Sequence, residues 1–417
     1  MNLQDQLKSI AGENALSTWT EPASLLELPL VIPGDEASCT ELIRLAAKDG
    51  LAVIPIGNGQ HASYLQAATR VDFAISTSAL NQVEAYEPGD GTVTAGAGIT
   101  IADLRDTVRA GGHRLTPDVP SPSKSTLGGV LAAGQSGFDR LRFGPVRNHV
   151  LGMRVLLGDG STARTGGRLV KNVTGYDLHR LYTGSFGSLC LILEASLRLF
   201  PLQESELVCE GSSATLDAAL QCVETARNLP LIWDTLKIAK RGERFTTLAA
   251  LSGREQLLKS HAASVERCFE QLDQVQMHWG ADSVPVRENA RDRERSEGSP
   301  ALRLQCRPSQ LREQSETLLQ GLYELGVSCE AMHVHPELAT LELWLPASEA
   351  DAKLEMLSEL HQVATRHKLR VDWFGQESML QPENGESPST GLRLMKQLQN
   401  SLDPKAVFAR GRFHRGL

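Results

Sequence analysis

Three apolar, strand-like runs in the first half of the chain each end in a loop of small residues. "LAVIPI" (51–56) continues into "GNGQ" (57–60), "TVTAGAG" (92–98) ends in its own glycines, and "VLGMRVLL" (150–157) continues into "GDG" (158–160). Glycine accepts positive φ and lets successive backbone N–H groups point into one concavity. Glycines that only turn the chain would explain any one of these loops, but not the series. The pattern therefore predicts a ligand held by backbone loops at strand ends.

A nicotinamide-binding Rossmann site is the first alternative, because Gly57, Gly59 and Ala62 match a loose GxGxxA. That site needs a helix directly after the glycines and an acidic residue about 20 positions further on. Here "HASYLQAATRVDFAIST" (61–77) reaches the next strand after a few residues, which leaves no room for the crossover helix. The context disfavours a Rossmann site.

Length and composition limit the class of protein. A chain of 417 residues suggests two or three domains, and 41% hydrophobic and 22% charged residues are typical of a globular protein. The net charge of -8 disfavours binding to nucleic acid. We expect a cytoplasmic protein, since the sequence shows neither a leader pattern nor an apolar run that could span a bilayer. Seven scattered cysteines without a CxxC pair predict neither a disulfide framework nor an iron–sulfur or zinc cluster.

The patterning divides the chain into four parts: an N-terminal extension (1–29), a first module (30–201), an α+β region (205–380) and a C-terminal helix and tail (391–417). The tail is expected to pack back on the first module. Residues 282–299 have almost no apolar side chains, which predicts a mobile excursion within the α+β region.

Local signals place several elements. Ser38 has capping-box spacing to Glu41 ahead of a helix that Gly50 ends, and Thr100 suits the start of another helix. Residues 150–166 predict a β-hairpin.

Two further segments have a distinct character. Residues 117–137 are so rich in Pro, Ser and Gly that they predict a long ordered loop without regular structure. In the tail, Leu394, Leu398 and Leu402 share a predicted helical face, and the helix ends at Asp403–Pro404.

The order of these motifs resembles the FAD-binding domain of the vanillyl-alcohol oxidase (PCMH-type) superfamily. The resemblance rests on "IGNGQ" (56–60), "AGAGITIADL" (95–104), "LTPDVPSPSKSTLGGVLAAGQSG" (115–137), "RFGPVRNHVLGMRVLLGDG" (142–160), "LVKNVTGYDL" (169–178), "GSFGSL" (184–189) and "LDPKAVFARGR" (402–412). It implies an α+β fold: a two-part PCMH-type FAD-binding domain over 30–201 with an α+β cap or substrate domain over 205–380. Within the superfamily, the block 167–189 is most similar to the E subunits, the smaller FAD-binding subunits, of bacterial glycolate oxidases.

The resemblance implies FAD as the cofactor. The backbone amides of Asn58, Gly59 and Gln60 could bind its two phosphates without a buried Lys or Arg. The residues carried over as FAD contacts are Gly57, Asn58, Gly59, Gln60, Pro117, Asp118, Ser125, Thr126, Gly128, Gly129, Gly134, Gly137 and Leu191. For Ser125 and Thr126 the alternative is local hydrogen bonding in a turn.

The attachment of FAD is expected to be non-covalent. Members that bind FAD covalently through this loop have His where this chain has Gln60, and here His61 comes one position later. We expect His61 to point away from the flavin.

The block "GRLVKNVTGYDLHRLYTGSFGSLCLILEASLRL" (167–199) predicts backbone shape more than reactive chemistry. Gly175 and residues 184–187 predict turns, and Asp177 suits the cap of a short helix. Lys171 and Tyr176 lie near FAD in one interpretation; in the other they are an exposed lysine and a packed tyrosine.

Candidate catalytic residues come from the α+β region. Oxidation of a 2-hydroxy acid needs a cation for the carboxylate and a base for the hydroxyl. Arg303 and Arg307 on one predicted strand, and His333 and His335 on another, offer these groups. "MHVHPELATLELW" (332–344) lacks the GDGNxH segment that carries the metal histidines of related dehydrogenases, so no metal site is predicted. Structural histidines and salt-bridged arginines are the alternative.

The resemblance implies an FAD-containing subunit that takes part in the oxidation of glycolate, a small 2-hydroxy acid, to glyoxylate by hydride transfer to flavin. Its expected partners are a larger FAD-binding D subunit and an iron–sulfur F subunit, in a cytoplasmic hetero-oligomer that these subunits could attach to the membrane. Two alternatives are a flavin-binding assembly or electron-transfer subunit without turnover of its own, and a stand-alone FAD oxidoreductase with another substrate.

Overall fold

The computed structural model describes residues 2–22, 24–62, 65, 68–137, 139–168, 175–296, 302–327, 329, 331–344, 350–373 and 390–412. The chain forms two compact units. The first comprises Met1–Gly137, Gly144–Leu202 and Gly385–Leu417, and the second comprises Phe138–Phe143 and Gln203–Asn384. Among the described residues, no helix is both long enough and apolar enough to cross a membrane.

Up to Pro201 the helices and strands are, in order, α1 (Leu3–Ala11), β1 (Leu16–Thr20), β2 (Glu27–Val31), α2 (Glu36–Asp49), β3 (Val53–Ile56), β4 (Phe73–Ser76), β5 (Val83–Glu87), β6 (Thr92–Gly96), α3 (Ile101–Ala110), β7 (His113–Arg114), α4 (Leu127–Ala133), α5 (Arg140–Phe143), β8 (Val150–Leu156), β9 (Thr162–Gly166), α6 (Leu178–Tyr182), β10 (Leu191–Arg198) and β11 (Phe200–Pro201). They are followed by β12 (Ser205–Ser213), α7 (Leu216–Arg227), β13 (Thr235–Arg241), β14 (Arg244–Gly253), α8 (Glu255–Cys268), β15 (Asp273–Trp279), α9 (Ser283–Ser296), β16 (Leu302–Gln305), α10 (Leu311–Glu324), β17 (Ala331–His335), β18 (Thr340–Trp344), α11 (Ala350–Arg366), β19 (Arg370–Trp373) and α12 (Thr390–Leu402).

The first unit contains two larger sheets. The four-stranded sheet has the order β1-β2-β4-β3, with β3 and β2 parallel to β4 and β1 antiparallel to β2. The five-stranded sheet has the order β5-β6-β10-β8-β9 and is antiparallel throughout. The predicted hairpin over 150–166 is present as β8 and β9. The short strands β7 and β11 pair separately.

The N-terminal residues belong to the first unit rather than forming a separate extension. Strands β1 and β2 supply half of the four-stranded sheet. On α1, Leu7 is fully buried and packs in one core with Leu42 and Ile43 of α2. These elements were not predicted from the sequence, because their local hydrophobic pattern is weak. β1 and β2 become strands only through their pairing.

Helix caps explain where three helices of the first unit begin. Asp35, not Ser38, caps α2: its carboxylate accepts a hydrogen bond from Ser38 N at 2.8 Å. Gly50 ends that helix in the left-handed conformation, and Thr100 caps α3, both as predicted. Thr126 caps α4, a seven-residue helix inside the stretch that we expected to lack regular structure. There the cap and the small residues after it suffice for two helical turns.

The C-terminal tail is fixed alongside β3. Val53 N donates to Val407 O at 2.7 Å and Ala409 N donates to Val53 O at 2.9 Å. The fully buried carboxylate of Asp403 accepts hydrogen bonds from Val407 N and Phe408 N at 3.0 and 2.9 Å. Asp403 therefore shapes the turn that brings the tail back onto the four-stranded sheet.

The predicted apolar face of α12 is wrong. Leu394 and Leu398 are 55% and 37% exposed. The inward side instead carries Gln399, which is buried and donates to Ser188 O at 3.4 Å, and the partly buried Leu402. The helix is thus anchored by its last turn.

The second unit is built on one eight-stranded antiparallel sheet of order β15-β12-β14-β13-β17-β18-β16-β19. One face of the sheet packs against α7, α8, α10 and α11 in a single apolar core, which includes Leu236, Val334 and Leu341. This is the α+β patterning expected for 205–380.

Helix α9 occupies most of the segment for which we predicted a mobile excursion. Val286 and Ala290 pack against the sheet, and Arg287, with a side chain only 4% exposed, pairs with Asp139 at 2.6 Å and with Glu206. The low apolar content of this segment did not reveal the helix, because buried ion pairs here supply contacts that apolar side chains would otherwise make. They also tie the segment Phe138–Phe143 to the second unit.

We predict that Asp403→Ala lowers the free energy of unfolding of the chain by about 2–4 kcal/mol, because two buried N–H groups lose their acceptor. Denaturant unfolding of the apoprotein measures the change. Lys405→Ala, an exposed change two residues away, serves as the matched control and should leave stability within about 0.5 kcal/mol. Equal stability of both variants would contradict the role given to Asp403.

Candidate functional site

A pocket of about 450 Å³, counted with the solvent at its mouth, lies in the first unit. Its walls combine the loop after β3 with the first turn and the last residues of α4. The lining residues are Pro55, Ile56, Gly57, Asn58, Gly59, Gln60, His61, Ala62, Leu65, Thr126, Gly129, Ala132, Ala133, Phe186 and Arg412. Most of this lining is small or apolar, as in pockets that take a large organic cofactor.

The loop after β3 offers backbone donors to a ligand. In the described part of the protein, the N–H groups of Asn58, Gly59 and Gln60 have no acceptor. Gly59 has φ +74°, a conformation that few other residues adopt, and a Cβ there would lie 3.2 Å from Trp19 Nε1. Successive amides of this kind form an anion-binding concavity. The loop therefore fits the diphosphate of FAD.

The first turn of α4 closes the pocket but does not offer amides. Leu127 N donates to Ile99 O at 2.9 Å, Gly128 N to Ala97 O at 2.7 Å, and Gly129 N to Thr126 Oγ1 at 3.2 Å. Because these donors are already used, the helix contributes its surface rather than its N–H groups. That surface consists of Thr126, Gly129, Ala132 and Ala133.

His61 lines the pocket, whereas we expected it to point away. Its Nε2 is hydrogen-bonded to Gln135 Oε1. Burial lowers the pKa of His61, and the Gln135 hydrogen bond opposes this only in part. The ring is therefore neutral at neutral pH.

Six of the predicted FAD contacts line the pocket: Gly57, Asn58, Gly59, Gln60, Thr126 and Gly129. The other seven, Pro117, Asp118, Ser125, Gly128, Gly134, Gly137 and Leu191, do not. All thirteen remain predictions as cofactor contacts.

The seven residues outside the lining have local structural roles. Ser125 Oγ donates to Pro120 O at 3.0 Å, which is the turn bond given as its alternative. Gly134 ends α4 in the left-handed conformation, and Gly137 forms a β-bridge with Asp118, beside the buried Pro117. Leu191 is fully buried in the core.

Nine of the fifteen lining residues were not among the predicted FAD contacts, and two of these nine stand out. Phe186 lies between the glycines of "GSFGSL" at φ +52°, a strained conformation for a bulky residue, and its N–H donates to Ala132 O at 2.8 Å. Arg412 is a buried arginine, although we expected phosphate binding without one. Its only signal was its place at the end of "LDPKAVFARGR".

The remaining predictions for the block 167–199 have different outcomes. Asp177 precedes α6 as predicted, but its side chain does not cap the helix and pairs with Arg180 instead. Tyr176 is 90% exposed and so is not a packed tyrosine. Lys171 lies outside the described residues.

The second unit brings three of the four candidate catalytic residues together. His333 and Arg303 both lie opposite Glu342 in the strand register, and His335 is on the same face as His333. Arg303 Nε and Nη2 donate to Glu342 Oε1 at 2.8 and 2.5 Å. Arg307 lies beyond the end of β16 and is exposed. It does not join this group.

Charge is concentrated on this polar face. His335 Nε2 is 3.8 Å from Glu342 Oε2, and its Nδ1 is 4.0 Å from Glu337 Oε1. Lys237 is also buried here, two residues before the residue that pairs with His333. Burial alone would raise the pKa of Glu342, but Arg303 and His335 together hold it well below its usual range. Glu342 is therefore ionised.

Neither metal nor disulfide chemistry adds to this picture for the described residues. They contain no group of three or more His, Cys, Asp or Glu that could hold a metal ion. The seven cysteines are free, and burial raises the pKa of those at 39, 209 and 222 to about 12.

Comparison with known families identifies the cofactor. Residues 28–166 match the family model described as an FAD binding domain. The match confirms FAD as the cofactor expected from the sequence. The fold agrees: a solved structure of alkyldihydroxyacetonephosphate synthase has a TM-score of 0.74, covering 98% of this chain and 85% of that chain at 14% identity. The expected α+β, PCMH-type fold is confirmed.

Curated relatives are similar over part of their length. D-lactate dehydrogenase of Archaeoglobus fulgidus is 27% identical over 259 residues, which are 61% of this chain and 57% of the relative. Glycolate oxidase subunit GlcE of Escherichia coli is 36% identical over 123 residues, which are 29% of this chain and 35% of the relative. The chain thus spans less than two thirds of each.

We predict that Gly129→Val weakens FAD binding at least about tenfold, because the new methyl groups fill the pocket beside Thr126 Oγ1, 3.0 Å from the position of a Cβ. Titration of the apoprotein with FAD, followed by fluorescence, measures the change. Gly89→Val is the matched control, since a Cβ there meets nothing within 4 Å. Unchanged affinity in Gly129→Val would show that FAD does not use this pocket.

We predict that Glu342→Gln lowers the melting temperature most near neutral pH. Because the folded-state pKa of Glu342 is depressed, the stability it contributes is present above its ordinary pKa of 4.5 and is lost as the pH falls below that value. The loss near pH 7 should correspond to about 1–3 kcal/mol. Melting curves across the acidic range test this, with the exposed Glu313→Gln as control. A difference that grows toward low pH would refute the pairing.

Proposed function

We propose that the chain is an FAD-dependent oxidoreductase that oxidises a small 2-hydroxy acid to the 2-oxo acid. The observation that carries the proposal is the pocket of the FAD binding domain, where the N–H groups of Asn58, Gly59 and Gln60 have no acceptor within the described residues. The relatives named for D-lactate and glycolate oxidation support the substrate class.

The first unit would hold the cofactor. Three successive amides would place partial positive charge toward a diphosphate, and Gly59 between the other two has no side chain that could block its approach. The apolar lining, which includes Ile56, Leu65 and Phe186, would exclude water from the flavin. FAD bound there supplies the hydride acceptor.

The second unit offers the side chains that the substrate needs. Oxidation removes a hydride from the carbinol carbon and a proton from the hydroxyl oxygen, so the protein must accept the proton. We propose His335 as that base, since Glu337 and Glu342 lie beside its two ring nitrogens and would orient the imidazole ring. Arg303 is the proposed cation for the substrate carboxylate.

The finer proposal is that this chain is the FAD-binding E-type subunit of a glycolate oxidase complex. The 123-residue similarity to GlcE and the "GRLVKNVTGYDLHRLYTGSFGSL" block support it. In that case a larger FAD-binding D subunit and an iron–sulfur F subunit would be its partners, and electrons would leave through them.

A second candidate is a flavin-binding subunit without turnover of its own. One observation favours it: Arg303 already donates two hydrogen bonds to Glu342. The guanidinium proposed to bind the substrate carboxylate is thus already bound to a carboxylate of the protein. The two candidates differ in whether the chain alone reduces its flavin.

We predict that the purified full-length chain carries flavin whose visible absorbance is bleached by anaerobic glycolate or D-lactate, with L-lactate as the matched control. Acid denaturation should release all of the flavin, because Gln60 stands where covalent attachment would need a histidine. Absence of bound flavin would overturn the proposal. Bound flavin that neither acid bleaches would favour the second candidate, and flavin retained by the precipitate would show a covalent bond.

A further inference from the structure

We propose that Arg412 binds the FAD diphosphate, acting together with the backbone amides of the loop after β3. This rests on the proposed placement of FAD in the pocket of the first unit. It adds a charged ligand to a site that the sequence predicted to work through the backbone alone.

Arg412 is buried at the pocket with donors to spare. The residue is 5% exposed and lines the pocket. Among the described residues, its Nε has no hydrogen-bond partner. Its Nη2 faces Glu21 Oε1 at 3.5 Å, longer than the 2.7–2.9 Å of a charge-assisted hydrogen bond. A buried guanidinium left in this state is costly unless a further acceptor is bound.

Glu21 holds Arg412 without saturating it. Glu21 is fully buried, and its Oε2 accepts hydrogen bonds from Ser24 N and Oγ at 2.6 and 2.7 Å. Only Oε1 is turned toward the guanidinium. Burial lowers the pKa of Arg412 to about 10, and Glu21 opposes this shift only in part. Glu21 therefore acts as a positioning residue that leaves Nε of Arg412 available to a second anion.

The tail places Arg412 beside the amide loop. Val407 and Ala409 are hydrogen-bonded to Val53 of β3, and Thr69 N donates to Arg410 O at 2.9 Å. Strand β3 runs directly into the loop of Asn58–Gln60, and the tail runs parallel to β3 at Phe408, so that Arg412 lines the same pocket as that loop. Among the described residues that line the pocket, Arg412 is the one arginine or lysine. A diphosphate, with its paired oxygens, matches a guanidinium fork.

The test compares ligands that do and do not contain the diphosphate. Apo wild-type and Arg412→Met chains are titrated with FAD, ADP and riboflavin, and Kd is measured by calorimetry or by flavin fluorescence. We expect Arg412→Met to weaken FAD and ADP at least about tenfold and to leave riboflavin within about twofold. Arg70→Met, which changes an exposed arginine of the same unit, should leave all three unchanged.

Folding is controlled separately. Because Arg412→Met leaves the Glu21 carboxylate buried and unpaired, the double variant Glu21→Gln/Arg412→Met is measured alongside it, with apoprotein melting curves for each. The double variant should show the same selective loss of FAD and ADP. Arg412→Lys should recover part of the affinity, since it restores the charge but not the fork.

Two results would overturn the inference. If the folded double variant binds FAD as tightly as wild type, the pair is structural only. If riboflavin weakens as much as FAD, Arg412 acts on the flavin ring instead. A wild-type chain that binds no FAD would refute the proposed function itself, which is a different result from either.

Discussion

The backbone of Gly57 lies directly against the side chain of Thr126, and the pocket depends on this approach. A Cβ at Gly57 would overlap Thr126 Oγ1. The loop after β3 can therefore approach the first turn of α4 this closely only because residue 57 is glycine. The amides of α4 in turn are bound to the carbonyls of Ala97 and Ile99, after β6. The contact therefore joins the four-stranded sheet to the loops of the five-stranded sheet, and Asn58, Gly59 and Gln60 line the pocket beside it.

Local sequence signals were sufficient to predict an element where a few consecutive residues determine the backbone conformation. Gly50 and Thr100 mark helix ends because a left-handed residue and a hydroxyl cap act within one turn. The wrong predictions concern features that the local sequence does not determine. Ser38 and Asp35 are both good caps, and only the structure shows that Asp35 is used. Helix α9 depends on Asp139 and strand β2 on its pairing with β4, partners far away in sequence that composition does not reveal.

The candidate site likewise contains residues that the local sequence reveals and residues that it does not. The loop of Gly57–Gln60 could be predicted, since its chemistry resides in the backbone of four consecutive residues. Arg412 could not, because it meets Glu21 across almost the entire chain. Likewise, strand alternation predicted that His333 and His335 share a face, but the position of Glu342 opposite Arg303 is a matter of strand register. The pairing agrees with the salt-bridged arginine that was the alternative interpretation of Arg303.

The central claim is that FAD lies in the first unit with its diphosphate on the loop after β3. A crystal structure of the full chain with FAD tests this most directly. We predict density for the diphosphate within hydrogen-bond distance of the N–H groups of Asn58, Gly59 and Gln60, with Ile56 and Phe186 against the cofactor. A diphosphate bound away from this loop, with the three amides in contact only with solvent, would contradict the account.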